Sequence, residues 1–390
     1  MKVKIEKEGW LQLPKGYIER YKLNKEAELY LIPTDVGFIA CHPKSDIRKV
    51  YIEPTSRCNL NCIICVRNVW SDEKADMEMK TFNAIVEQLR ELKHLKVVVL
   101  GGFGEPFCHP NILKMIEDIK AMEVKLTINT NGTLLDEFAE PLVELGVDNI
   151  IVSMDSVHPQ TFSEIRKGAS LGDVAGNVRM LNDTKRRKES VLPTIGIEFV
   201  LMRRNMDEIR SLPELARSIG ASSVLITNLL PYTEEMCDEI LYDGKVELPK
   251  SVGWPISNRL WLEWGAIRSP KMQWGAQRNC RFVESKSLVI GQDGVISPCY
   301  ALMHSYTYYI FGRKKWVKRY VLGNVLESSI LSIWMSEEYI RFRNKVRMFD
   351  FPSCVDCGLA CDLAERNEDC WTNNPSCADC LWASDIIRCP

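Results

Sequence analysis

No stretch of this 390-residue chain holds the roughly 18 consecutive apolar residues that a helix needs to cross a bilayer. Neither sign of charge is in excess: 50 Lys and Arg stand against 52 Asp and Glu, a net charge of −2. Nothing electrostatic therefore favours nucleic acid or an anionic membrane as a partner. The opening Met1-Lys2-Val3-Lys4-Ile5-Glu6 lacks the apolar core of a signal peptide, and a cytosolic location is expected. What the chain does have is cysteine, 15 in all. In a reducing compartment that points to metal or redox chemistry rather than to disulfides. The cysteines are clustered, three at 58–65 and seven at 354–389, as convergence of several thiolates requires.

The expected fold class is α/β, in four parts. Residues 1–45 read as a small β-rich module. Strands are expected at Val3-Lys4-Ile5 and Gly9–Pro14, with a short helix over Tyr17–Leu23. A hairpin joins Glu28–Ile32 to Gly37–Ala40 around Pro33-Thr34-Asp35. The pattern resembles the half-unit of the swapped-hairpin (AbrB-like) fold. With so little excess positive charge, it reads as a docking or dimerisation module, which would make a homodimer, or else as a plain extension of the main domain. Residues 46–235 alternate strand and helix: strands near 50–53, 97–100, 125–129, 149–153, 194–201 and 223–227, with helices at 80–91, 112–122, 134–145, 160–167, 174–184 and 206–219. Six βα units imply a parallel sheet and a partial (β/α)6 TIM barrel, with its site at the carboxyl ends of the strands. Residues 236–279 read as an irregular bridging segment, and 280–390 as a cysteine-rich domain built on metal centres.

After the first strand comes Thr55-Ser56-Arg57-Cys58-Asn59-Leu60-Asn61-Cys62-Ile63-Ile64-Cys65, a C-x3-C-x2-C spacing. Three thiolates, Cys58, Cys62 and Cys65, can hold three irons of a [4Fe–4S] cluster and leave the fourth open to a chelating substrate. Zinc is the alternative. It wants a fourth ligand nearby, and no further cysteine follows within forty residues, while His94 sits in a helix-to-strand connection. The loop, with Asn59-Leu60 inside it and an aromatic-rich sequel, resembles that of the radical SAM superfamily. The resemblance implies that S-adenosylmethionine (SAM) chelates the open iron and that one electron cleaves it to a 5′-deoxyadenosyl radical, the barrel orienting and shielding the chemistry.

Other motifs follow the later strands. Gly101-Gly102-Phe103-Gly104-Glu105-Pro106 resembles the family's G-x-G-E-P turn, which implies SAM amino-group contacts from Phe103, Gly104 and Glu105; without a ligand it is a glycine-rich turn. Thr130-Asn131-Gly132-Thr133 matches a family T-N-G, with Asn131 facing the cofactor, although Asn-Gly is also an ordinary turn. Ser153 and Asp155 share one side of a strand end and are candidates for the SAM ribose or carboxylate. The resemblance gives Arg166 the SAM carboxylate, for which guanidinium geometry suits; the alternative is a solvated helix residue. Asn205 is a weaker pocket candidate, His109 and Cys108 are expected at the rim or in structural roles, and Cys41 and Cys237 read as ordinary buried thiols.

Cys280, Gly294 and Cys299 are spaced C-x13-G-x4-C around an expected hairpin, followed by Gly323-Asn324-Val325 and Ile333-Trp334, then by Cys354, Cys357, Cys361, Cys370, Cys377, Cys380 and Cys389. The order resembles the SPASM extension of radical SAM enzymes, which implies two auxiliary [4Fe–4S] clusters. The second half departs from the family spacing, and nine cysteines exceed the eight that two full clusters need. Cys280 and Cys299 are assigned to the nearer cluster, Cys354 and Cys357 to the farther one; zinc ribbons are the alternative for the C-x2-C pairs. Tyr51–Thr55, Cys65–Trp70 and Pro375–Trp382 further resemble the radical SAM maturases associated with tungsten-containing aldehyde oxidoreductases. This implies a substrate protein, peptide or cofactor system and a ferredoxin-like electron donor. Two rivals stay open, a maturase that crosslinks ribosomal peptides and a non-enzymatic iron–sulfur electron carrier.

Overall fold

The computed structural model describes residues 12–21, 30–34, 37–41, 46–242, 267, 268, 270, 272, 278–355, 357 and 366–388. Residues Met1–Ser45 and Asp46–Pro390 form two compact units. In the first, helix α1 (Lys15–Tyr21) precedes strands β1 (Tyr30–Thr34) and β2 (Gly37–Cys41), which pair antiparallel with Thr34 opposite Gly37. Pro33 and Thr34, expected in the turn, are paired strand residues, and Asp35 lies outside the described residues. Pro33 lies within β1, which a two-stranded sheet tolerates because one side of each strand has no ladder partner to lose. The strand expected at 3–5 and most of that at 9–14 lie outside the described residues, while Gln12-Leu13-Pro14 is irregular.

In the second unit six strands follow one another: β3 (Lys49–Ile52), β4 (Val97–Leu100), β5 (Lys125–Thr130), β6 (Asn149–Ser153), β7 (Thr194–Leu201) and β8 (Ser223–Asn228). Each pairs parallel with the next. The connecting helices are α2 (Met79–Arg90), α3 (Ile112–Lys120), α4 (Leu135–Glu144), α5 (Pro159–Ile165), α6 (Leu171–Arg187) and α7 (Leu212–Ser218). Right-handed crossovers that always step the same way put every helix on one face of the sheet. The core agrees: Phe82, Met115, Leu142, Val178 and Ala216 from the helices pack with Val50, Ile52, Val98 and Leu100 from the strands. The alternate residues Tyr51 and Val99 face the other way, onto Phe282, Tyr300 and Met303. That second face is where the site forms.

One element differs from the sequence reading. The helix expected over 206–219 is a 3-10 turn, Arg203–Arg210, followed by α7. Pro213 lacks an N–H and clashes one turn back, so the chain restarts with proline in the first turn of a new helix. The hairpin expected between Cys280 and Cys299 forms, and it joins the main sheet. Strand β10 (Ser287–Ile290) pairs parallel with β3, and β11 (Val295–Ser297) and β14 (Gly323–Asn324) continue outward. The short β9 (Ile267–Arg268) adds to β8 at the other end, giving an open ten-stranded sheet. A second hairpin, β12 (Tyr306–Ile310) with β13 (Arg313–Val317), and the helices α8 (Arg281–Glu284), α9 (Ile330–Trp334) and α10 (Glu337–Met348) complete the C-terminal region. Among the described residues no helix is long and apolar enough to cross a membrane.

Since β10 covers the edge of β3, residues 46–242 expressed alone expose an apolar strand edge. This fragment is expected to aggregate where the full chain stays dispersed, as size-exclusion chromatography will show.

Candidate active site

The loop after β3 is stitched down on both sides. Ser56 Oγ accepts the Ala75 N–H at 2.8 Å, and Thr55 Oγ1 donates to Asp76 Oδ1 at 2.6 Å. Asn61 and Ile63 donate their N–H groups to the carbonyls of Lys167 and Ile165, which lays the cysteine loop along the end of α5 and beside Arg166. Cys58, Cys62 and Cys65 line one cavity of about 260 Å³. Polar donors address their sulfurs: Leu60 N–H and Asn131 Nδ2 stand 3.4 and 3.7 Å from Cys58 Sγ, and Arg67 Nε 3.3 Å from Cys65 Sγ. Burial raises the Cys58 thiol and pushes Cys62 up to about 11. Such thiols become ligands by exchanging a proton for a metal. Among the described residues no three His, Cys, Asp or Glu side chains gather as tightly as a single bound ion requires; three thiols around one cavity leave room for a larger group.

Phe103, Gly104, Glu105, Asn131, Ser153 and Arg166 line the same cavity. Gly104 is a close approach, since a Cβ there would lie 2.0 Å from the Thr55 carbonyl oxygen. The side chain of Glu105 is used within the protein. Its carboxylate accepts from Asn131 N at 2.7 Å, Thr130 Oγ1 at 2.8 Å and Phe107 N at 3.2 Å. Burial pushes it up to about 7 against these donors. It braces the loop after β4 to the loop after β5. The side chain of Asn131 reaches back to the cysteine loop, donating to Asn59 Oδ1 at 2.9 Å.

Asp155 is set back from the cavity. It is fully buried and outside the cavity lining. One carboxylate oxygen accepts the Val200 N–H at 2.9 Å, and the other stands 2.7 Å from Arg166 NH2. It orients and partly neutralises Arg166, whose Nε is buried without a hydrogen-bond partner. An orphaned guanidinium N–H at a cavity wall suits an anionic acceptor such as a carboxylate. Asn205 also lies outside the lining: it is clamped by Met202 N, Asp155 O and Val200 O. His109 is structural, with its ring bonded to Met77 O and to Asn111 N.

Several lining residues escaped the sequence reading. Glu198, opposite Ser153 in the β6–β7 register, is pushed up to about 7 by burial and the nearby Asp155 charge. A lone glutamate in the otherwise apolar run Thr194–Leu201 was the available signal. Trp382 and Arg388 carried none. They reach the cavity because Asn228 Nδ2 donates to Ile386 O at 2.9 Å and Arg388 N–H to Thr227 Oγ1 at 2.8 Å, tying the C-terminal tail across the end of β8.

Below the wall, His304 sits with no exposed side-chain surface between two carboxylates, Nε2 2.9 Å from Glu53 Oε2 and Nδ1 2.8 Å from Asp72 Oδ2. Burial opposes charge on the ring, yet hydrogen bonds and attraction from Asp72 and Glu53 overcome it and His304 is pushed up to about 9.

The C-terminal thiols sort into groups. Cys280, Cys299, Cys377 and Cys380 lie within electrostatic range of one another and are buried enough that all four are raised, Cys280 to about 12. Cys354 lies in range of Cys370, and Cys357 is exposed. Cys361 and Cys389 lie outside the described residues.

Residues 52–241 match the family model of the radical SAM superfamily, and residues 280–358 that of the SPASM iron–sulfur cluster-binding domain. The chain is 40% identical over 355 residues, 88% of its length, to the tungsten-containing aldehyde ferredoxin oxidoreductase cofactor-modifying protein of Pyrococcus furiosus, covering 97% of that protein. A probable GTP 3′,8-cyclase of Methanocaldococcus jannaschii is 30% identical over 193 residues, 49% of this chain and 62% of that protein. Among solved structures, Streptococcus suis SuiB bound to S-adenosylmethionine aligns with a TM-score of 0.57 at 16% identity, over 81% of this chain and 72% of that one. Native anSMEcpe with bound AdoMet aligns with a TM-score of 0.56 at 15% identity, over 87% and 95%. These two share the fold.

The raised His304 predicts a pH signature. A base held above its ordinary value of 6.5 stabilises the fold fully below that pH and ceases to do so as pH rises through about 9. The urea midpoint of the wild type is expected to exceed that of His304→Gln at pH 6, with the gap closing above pH 9; a pH-independent gap would refute the assignment.

Proposed function

The chain belongs to the radical SAM superfamily, as an enzyme with a SPASM iron–sulfur domain, and from that premise we propose that its cavity takes SAM beside a [4Fe–4S] cluster held by Cys58, Cys62 and Cys65. The observation that carries this reading is one cavity shared by three thiols and an arginine whose Nε is buried and unpartnered. The residues fit the group: three thiols of one short loop line the cavity, and Gly104 lets the loop after β4 pack directly against the backbone at Thr55 and Arg57 that leads into them. When bound and reduced by a ferredoxin-like donor, such a cluster supplies the electron that cleaves SAM to a 5′-deoxyadenosyl radical.

The protein's own part is to bind, orient and enclose. Arg166, held by Asp155, takes the SAM carboxylate. Glu105 and Asn131 keep the loops after β4 and β5 locked to the cysteine loop, and Asn131 and Arg67 direct N–H groups at its sulfurs, the kind of outer contact that tunes a metal site. The C-terminal tail with Trp382 and Arg388 limits access of water from the far side. In the SPASM region we assign Cys280, Cys299, Cys377 and Cys380 to one auxiliary [4Fe–4S] cluster. Cys354, Cys357, Cys361 and Cys370 are assigned to a second, leaving Cys389 over. The P. furiosus relative is a cofactor-modifying protein for a tungsten-containing aldehyde ferredoxin oxidoreductase. By that kinship the substrate is the cofactor system of such an oxidoreductase, or the protein that carries it. The N-terminal unit is the module through which the enzyme dimerises or docks.

Anaerobically reconstituted protein given SAM and a strong reductant is expected to release 5′-deoxyadenosine. Cys62→Ala is expected to abolish this while iron falls from about twelve to about eight per chain; unchanged turnover would remove the loop from the site. Arg166→Gln is expected to raise the KM for SAM on the order of 10-fold or more, the worth of a charge-assisted hydrogen bond, with iron content unaltered.

A further inference from the structure

The glycine turn at the cavity wall is anchored from beneath by a carboxylate. Phe103 donates its N–H to Glu53 Oε1 at 2.9 Å, and the other oxygen of Glu53 meets His304 Nε2 at 2.9 Å. Glu53 is fully buried at the end of β3. Gly102 makes room for it: φ is +142°, and a Cβ would lie 2.6 Å from Glu53 Oε1. Flanked by Gly102 and Gly104, the Phe103 backbone has little rigidity of its own. In a trans peptide the N–H and C=O point in opposite directions. Pinning the Phe103 N–H on Glu53 therefore sends the Gly102 carbonyl the other way, and Gly102 lines the cavity. The ring of Phe103 is held as well, with its centroid 5.9 Å from Trp70 and 5.8 Å from His304, while Trp70 lies 4.2 Å from His304.

His304 comes from the C-terminal region, Glu53 from the strand that launches the cysteine loop, and Asp72 from the segment after that loop. A bridge made of these three holds the turn only when the C-terminal region is seated. We infer that Glu53 and His304 are positioning residues for SAM: the Glu53–His304–Asp72 bridge sets the orientation of the 102–103 peptide at the cavity wall and makes the affinity of that wall for an ammonium-bearing ligand depend on the packing of the SPASM region. The inference rests on the reading that the cavity takes SAM.

The test uses full-length, reconstituted protein and two readouts that a merely structural role would not move selectively. These are the equilibrium affinity for SAM and the change SAM makes in the EPR signal of the reduced cluster. Wild type must bind SAM and show the change; if it does not, it is the functional reading that fails. Given that it does, Glu53→Gln and His304→Gln are expected to weaken SAM binding about 10-fold and to alter the SAM-induced signal, with iron content and the SAM-free signal retained. Asp72→Asn, which leaves both contacts of Glu53 in place, is expected to move both readouts in the same direction by less, and it remains informative should either inner variant fail to fold. Iron-replete variants that bind SAM as tightly as wild type, with the same spectral change, would overturn the inference.

Discussion

A carboxylate without exposed surface stands at the carboxyl end of β3, and much of the active region is arranged to satisfy it. Burying such a charge is tolerated only where hydrogen bonds replace the lost water. Glu53 obtains one from the Phe103 amide of the loop after β4 and one from His304 of the C-terminal region. Both partners converge on the strand that leads into the cysteine loop, and β10 lies along that same strand. The two regions that match separate family models are thus one packed unit with a shared polar joint.

The same logic extends around the cavity. Arg166 leans on Asp155, Asp155 accepts Val200 N, and Glu105 takes three donors from two loops. The loops after β4, β5 and β6 are each held by a buried acid, Glu53 and Glu105 for the first two and Glu208 for the third, which braces the wall they form. Rigid walls suit radical chemistry, where a small misplacement of the reacting groups is costly. Arg166 Nε, buried without a hydrogen-bond partner, and the three thiols of the same cavity are the groups that a carboxylate and a cluster would complete.

Much of this could be read along the chain. The cysteine spacing, the turn at 101–106 and Arg166 all lie within a few residues of a strand end, and the strands themselves are apolar runs bounded by clear turns. Local pattern says little where a side chain's partner is remote. Asp155 looked like a ligand contact because its strand position is right; only the 2.7 Å contact with Arg166 gives it a supporting part. Asn205 is likewise set behind the cavity, bonded to Asp155 O as well as to its neighbours Met202 and Val200. His304 drew no notice, since neither of its carboxylate partners is near it in sequence.

Local pattern alone therefore determined that this is an α/β chain with six βα units, a three-thiol loop and a cysteine-rich end, because strand period, turn chemistry and ligand spacing are short-range properties. Tertiary packing decided which thiols stand together in the C-terminal region, that Trp382 and Arg388 line the cavity, that β10 extends the sheet, and that Glu53 and His304 meet. Those pairings span up to 251 residues between hydrogen-bonded partners. They are set by which buried polar groups must find one another once the apolar faces have packed, and no short-range periodicity encodes that choice.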